Sequence, residues 1–238
     1  MQHGKKYRNA LELVEKSKAY EPAEAVELLK KLSISKFDGT VELHMRLGVD
    51  PRHSDQQVRG VAVLPAGTGK HVRVLVFAQG DQAREAEEAG ADFVGGEDLV
   101  KRIQGGWLDF DVALATPDVM QAQIVQKVAR VLGPRGLMPN ARSQTITSDL
   151  RRGIDEIRKG RVQFTVDKVG IIHAPIGKIS FESQQLLENL ATMVDAITRA
   201  KPSGAKGQYV RSISLAPTMG PGVRLDVAST LALQPAAA

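Results

Sequence analysis

Few residues in this chain have the types and spacings that do chemistry. Pro65 to Lys70, PAGTGK, has the glycine and lysine of a phosphate-binding loop. The spacing defeats it: Gly-x4-Gly-Lys-Ser/Thr needs glycine at Leu64, and His71 follows the lysine where a hydroxyl residue belongs. The residues beyond read as a strand, so no helix N-terminus would face a phosphate. An interdomain hinge is the better reading. Ala78 to Ala83, AQGDQA, holds the single glycine Gly80, too few for a dinucleotide site. Asp109 and Asp111 flank Phe110 and offer a general acid/base pair, although capping and turn roles are commoner for such residues. The five histidines are scattered without i,i+4 pairing or an HExxH pattern, and the sequence contains no cysteine and no GxSxG elbow. His173, beside Ala174-Pro175, reads as structural. The expectation is no catalytic residue, no metal and no cofactor. A nucleotide-dependent enzyme with a Rossmann-like domain is the alternative.

Three stretches suit polyanion binding better. Ser35 to His44, SKFDGTVELH, sets a lysine and an aromatic beside a turn that feeds a strand. Arg211 to Gly222, RSISLAPTMGPG, offers Ser212, Ser214 and the hydroxyl of Thr218 at the mouth of a turn that exposes Met219. Hydroxyls, backbone amides and flat or flexible apolar side chains are the groups that read RNA by shape, sugar and phosphate. Phe37 fits a core position as well as a stacking platform, and TMGPG fits a plain hairpin turn as well as a contact. Leu132 to Asn140, LGPRGLMPN, is too rich in Gly and Pro to continue a helix, and it fixes turns with outward amides. Such a loop serves a nucleotide phosphate, another domain or a nucleic-acid backbone.

The elements that must hold these stretches follow from periodicity. Glu21 to Leu32 reads as a helix with Pro22 in its first turn. Thr40 to Asp50 alternates: Val41, Leu43, Met45, Leu47 and Val49 face one way, and Glu42, His44 and Arg46 the other. Gln57 to Leu64 reads as a second strand. From His71 the rhythm changes to continuous apolar strands, HVRVLVFA and FDVALATPD. These alternate with helices at Asp81–Gly90, Gly96–Gly106 and Val119–Leu132, implying parallel pairing in a three-layer α/β unit. After Arg158 the half-buried style returns at Arg161 to Asp167. A turn, Asp167 to Gly170, a long helix over Glu182–Lys201, and strands at Tyr209–Ala216 and Val223–Val227 follow. Leu231 to Ala238 reads as a disordered tail.

Charge divides the same way. The net is +5, yet residues 67–158 carry 12 Lys and Arg against 13 Asp and Glu, and the remainder carries 20 against 14. The basic excess therefore lies in the outer segments, as it would if they jointly faced a polyanion. The expected fold is α/β and α+β in two domains. A discontinuous α+β domain with an antiparallel sheet (residues 1–66 and 159–238) carries an inserted Rossmann-like α/β domain (67–158). No apolar run approaches the ~20 residues of a membrane helix, and MQHGKKYRNAL lacks the apolar segment of a leader. The default expectation is a cytoplasmic protein that contacts no membrane.

Eight motifs occur in order: HGKKY, KFDGTVELHMRLGVDPR, EEAGADFVGGEDL, FDVALATPDVM, LGPRGLMPN, GIIHAPIGK, KPSGAKG and TMGPGVRLD. Together, from His3 to about Asp226, the chain resembles the bacterial large-subunit ribosomal protein L1 family, whose members form the mobile stalk. The resemblance implies a monomer within the ribosome that binds large-subunit (23S) rRNA and takes part in release of deacylated tRNA from the exit site. It also implies repression of translation of the protein's own operon through a similar mRNA site. Carried over position by position, it implies RNA contacts at Lys36, Phe37, Thr40, Glu42, Lys168, Ser212, Thr218, Met219 and Gly220. A secondary RNA contact is implied at Gly133, Arg135, Gly136 and Asn140. The family usually continues that loop with Pro-Lys, whereas this chain has Ala141-Arg142, which keeps the charge but not the proline.

Overall fold

The computed structural model describes residues 4–122 and 124–235. His3 of the HGKKY motif and residues 236–238 of the expected tail lie outside the described residues. In chain order the elements begin with α1 (Lys5–Glu12), α2 (Pro22–Leu32), β1 (Thr40–Leu47), β2 (Arg59–Val63), β3 (Val74–Phe77), α3 (Asp81–Glu88), β4 (Phe93–Gly95) and α4 (Glu97–Gln104). They continue with β5 (Val112–Ala115), α5 (Pro117–Gln121), α6 (Ala129–Leu132), α7 (Leu150–Arg158), β6 (Arg161–Thr165) and β7 (Ile171–Lys178). The last are α8 (Ser183–Arg199), β8 (Val210–Pro217), β9 (Val223–Leu225) and α9 (Val227–Leu231). Contacts divide the chain into two compact units, Met1–Gly69 with Lys159–Ala238 and Lys70–Arg158.

The outer unit is built on a four-stranded antiparallel sheet in the order β7-β1-β8-β9, and a separate antiparallel pair joins β2 to β6. Alternation along β1 sends Val41, Leu43, Met45 and Leu47 into one core. There they meet Ile172, Ala174 and Ile176 of β7, Ile213 and Leu215 of β8, and the apolar stripes of α2 and α8. Pro22 opens α2 at a position where its missing N–H costs nothing. A reciprocal bond pair between Glu182 and Gln185 caps the start of α8. With α2 and α8 packed on the core face, Thr40, Glu42, His44 and Arg46 and their cross-strand neighbours lie on the other. That face is where polar side chains can meet a partner.

The middle unit places β3 between β4 and β5, all parallel. Leu75 and Phe77 pack against Leu99, Ile103, Val119, Val125 and Leu132 on one side. Val74 and Val76 pack against Ala86, Ile154 and Ile157 on the other. Burial on both faces is why these strands read as continuous apolar runs.

Three expectations need correction. The single helix over Val119–Leu132 is broken into α5, a 3-10 turn at Val125–Val128 and α6. Its apolar residues still reach one core cluster, so the periodicity survives the break that it conceals. The outer strand at Gln57–Leu64 is shortened to Arg59–Val63, and beyond its ends single bonds from Val166 N–H to Val58 O and from Leu64 N–H to Gly160 O continue the β2–β6 register. The expected tail does not begin at Leu231. Asp226 accepts a bond from Ser229 N–H, which starts α9, and Leu233 packs against the outer core.

Candidate nucleic-acid interface

At one end of the four-stranded sheet, β1 begins where β8 ends, and Thr40 and Thr218 clasp each other. Thr218 N–H donates to Thr40 O at 2.9 Å, and Thr218 Oγ1 accepts from Thr40 N–H at 2.9 Å while donating to Thr40 O at 3.1 Å. Lys178 Nζ donates to Thr40 Oγ1 at 2.9 Å, tying in β7. The Thr218 hydroxyl, which the sequence places at the mouth of a turn, is therefore part of the scaffold. A register shift between Val41 and Glu42 lies beside the clasp. Exposed Glu42 follows, opposite Pro175 and Ala216.

Two loops flank the clasp. In the first, Ser35 Oγ donates to Phe37 O at 2.9 Å, and Asp38 accepts from Ser180 N–H and Oγ. This fixes the backbone while Lys36 stays exposed and Phe37 is 61% exposed. Phe37 is thus a surface residue and not a core one. In the second, Gly220 N–H closes a turn onto Pro217 O, and Met219 takes the left-handed conformation at φ 67° with 70% exposure. A non-glycine residue there costs about 1–2 kcal/mol, so a large apolar side chain is held out at a position that favours glycine. Gly220 leaves no room for a side chain: a Cβ would lie 2.6 Å from Pro217 Cγ and 2.9 Å from Leu32 O. Lys36, Phe37, Thr40, Glu42, Thr218, Met219 and Gly220 are thereby gathered at one end of the sheet.

Lys168 and Ser212 lie toward the other end. Ser212 pairs with Arg46, which pairs with Ile171 three residues beyond Lys168. Asp167 accepts from the N–H groups of Val169 and Ile171, and these bonds hold its carboxyl below the usual range. They also fix the turn that exposes Lys168, which borders a cleft of about 490 Å³ with Pro51, Arg52 and Gln57. Between the two ends sit residues that sequence reasoning missed. His44 and His173 face each other across β1 and β7 with their Nδ1 atoms 2.7 Å apart, and His173 Nε2 lies 3.6 Å from Asp167 Oδ2. The scattered histidines are thus partly gathered, and His173 belongs to the polar face. Only the strand register, which joins positions 129 residues apart, reveals it.

In the middle unit, the loop after α6 exposes Gly133, Pro134, Arg135 and Gly136, while Leu137 and Met138 anchor it to the core. Asn140 N–H donates to Thr145 Oγ1 at 2.7 Å, closing the loop's far side.

The enzyme-like features resolve otherwise. Lys70 of the PAGTGK stretch pairs with Asp111 at 2.6 Å, and Arg73 reaches the other oxygen at 3.3 Å. The Lys70 bond first, then the Arg73 backbone and side-chain bonds, hold the Asp111 carboxyl down at about 2. So acidic a group is a poor general acid or base at neutral pH. Among the described residues no cluster of three or more His, Cys, Asp or Glu could hold a metal, and no helix is long and apolar enough to cross a membrane.

Comparison with known proteins agrees with the motif order. Residues 29–221 match the Ribosomal protein L1p/L10e family. Two proteins described as "Large ribosomal subunit protein uL1", from Dehalococcoides mccartyi strains BAV1 and CBDB1, are each 57% identical over 233 residues. The match covers 97% of this chain and 98% of theirs.

Proposed function

The chain belongs to the ribosomal protein L1p/L10e family, and on that premise we propose that it binds large-subunit rRNA through the polar face of its four-stranded sheet. It is a large-subunit ribosomal protein, found in the ribosome and hence in the cytoplasm. In this reading the outer unit supplies recognition. Lys36 and Lys168 meet phosphates, Phe37 and Met219 stack on or wedge against bases and sugars, and the Thr40–Thr218 clasp holds both apolar side chains at fixed spacing. Ser212 and Glu42 offer polar contacts between the ends. The loop at Gly133–Asn140 provides the secondary contact through Arg135 and outward backbone groups. As part of the mobile stalk the protein takes part in release of deacylated tRNA from the exit site. When free, it represses its own operon by binding a similar site in the mRNA. It is not an enzyme and uses no cofactor.

The single observation that carries the reading is the exposure of Phe37 and Met219 on either side of a clasp that fixes both loops. Both large apolar side chains are displayed to solvent, and Met219 is held there in a disfavoured backbone conformation. The test is filter binding of large-subunit rRNA against an unrelated duplex over a salt series. With about 4 phosphates neutralised, log affinity should fall against log salt with a slope of roughly −3 to −4, and the rRNA should win at every salt. A slope near zero, or equal affinity for both RNAs, contradicts it.

A further inference from the structure

We infer that His44 and His173 form a proton-taking contact to an RNA phosphodiester, so that RNA binding by this face consumes a proton. The inference rests on the proposed reading of the sheet face as the RNA-binding surface. The two rings are direct cross-strand partners, and at 2.7 Å between Nδ1 atoms one nitrogen must carry hydrogen and the other a bare lone pair. Asp167 decides which. Its Oδ2, 3.6 Å from His173 Nε2, is an acceptor, so that nitrogen holds the proton. In neutral His173 the bare nitrogen is then Nδ1, which accepts from His44 Nδ1–H. The chain of donors runs from His44 through His173 to Asp167, and the one nitrogen left to take a further proton is His44 Nε2. No hydrogen-bond partner for it occurs among the described residues.

That nitrogen sits midway between the two ends of the face that gather the other candidate contacts. The charged groups around it come from several elements. Glu42 and Arg46 flank it on β1, Asp167 and Lys168 lie in the turn before β7, Lys178 ends β7, and Arg224 on β9 pairs with Ser214, the β8 neighbour of His44. Burial first, and then the neighbouring His173, push the His44 ring below the ordinary imidazole range, against the pull of Glu42. In the free protein the His44 ring therefore favours its neutral form. A phosphodiester oxygen facing His44 Nε2 reverses the balance, because an anion stabilises the imidazolium and accepts its N–H. The proton comes from solvent, one bond forms at Nε2, and the Nδ1–Nδ1 bond persists because His44 remains its donor. Asp167 polarises His173 and so makes it a better acceptor, while staying ionised itself.

The experiment is filter binding of purified large-subunit rRNA by the full chain between about pH 6 and pH 8 at fixed ionic strength. Parent, His44→Gln and His173→Gln are compared, with circular dichroism melting to establish that each variant is folded. The slope of log affinity against pH counts the protons taken up. For the parent a slope of about −0.5 to −1 is expected, equivalent to about three- to tenfold tighter binding per pH unit of acidification. His44→Gln should flatten the slope, so that its affinity falls furthest below the parent's at pH 6. His173→Gln should reduce the slope by displacing the acceptor that holds the His44 ring and breaking its link to Asp167. A parent that binds rRNA with no pH dependence, or a His44→Gln slope equal to the parent's, overturns the inference and leaves the RNA-binding reading intact. Failure of the parent to bind rRNA at any pH overturns both.

Discussion

Replacing Thr218 with valine removes one hydroxyl and keeps the shape of the side chain. The structure says what that hydroxyl does. It accepts from Thr40 N–H at 2.9 Å and donates to Thr40 O at 3.1 Å, while Thr218 N–H bonds the same carbonyl at 2.9 Å. After the change the carbonyl keeps a partner, but the Thr40 N–H loses the acceptor found for it here. An unsatisfied amide costs about 1–3 kcal/mol when buried. Both residues are half-buried, which puts this one at about 1–2 kcal/mol. Local opening at Thr40 should become easier by the same amount, so hydrogen exchange of its amide should accelerate about 5- to 30-fold. Thr218→Ser keeps the hydroxyl and should lose much less. Affinity for rRNA should fall in the valine variant, because the clasp positions Phe37 and Met219. Unchanged exchange at Thr40 together with lost affinity would refute the clasp and make the hydroxyl a direct RNA contact.

Other perturbations separate structure from binding. Phe37→Ala should change stability by less than about 0.5 kcal/mol, because the ring is mostly exposed, yet weaken rRNA binding by about 1–3 kcal/mol if it stacks on a base. Met219→Gly should relieve the left-handed backbone and stabilise the fold by up to about 1 kcal/mol while lowering affinity, as read by thermal melting and filter binding. Asp111→Asn removes a carboxylate held near 2 from an ordinary value of 3.8. A depressed carboxylate contributes stability above its unfolded value and loses it as pH falls through the folded one. Lys70 and Arg73 are largely exposed, so solvent screening limits the loss at pH 7 to about 1–2 kcal/mol. Urea unfolding of the two proteins should converge as pH falls from about 4 to 2.

The outer sheet and the middle unit were legible in different degrees. The alternation of Val41 to Leu47 identified both the strand and its polar face, because a half-buried strand leaves a period-2 signature. Continuous apolar runs at Val74–Phe77 and Val112–Ala115 identified strands covered on both sides. Helix α7 escaped notice because LRRGIDEIR is charged and interrupted by Gly153. In the structure that glycine admits close packing, since a Cβ would lie 3.2 Å from Thr147 Cγ2 and 3.5 Å from Leu114 Cδ1. The break within residues 119–132 was invisible because no Gly or Pro marks it. For the candidate site, residue types and turn chemistry pointed to the loops around Phe37 and Met219. Their joining through Thr40, Thr218 and Lys178 depends on pairings 138 and 178 residues apart, and no local pattern encodes those.

The most direct test of recognition by the outer unit is to replace residues 70–158 with a short Gly/Ser linker and measure rRNA affinity beside the full chain. The excised unit has its own core on both faces of its parallel sheet, and among the described residues the outer strands pair with one another and not with its strands. Circular dichroism should show a cooperative melt. The shortened protein should still prefer large-subunit rRNA over an unrelated duplex, with a loss of about 1–2 kcal/mol from the missing loop contacts at Gly133–Asn140. A folded product that no longer distinguishes the two RNAs would contradict recognition by the four-stranded sheet.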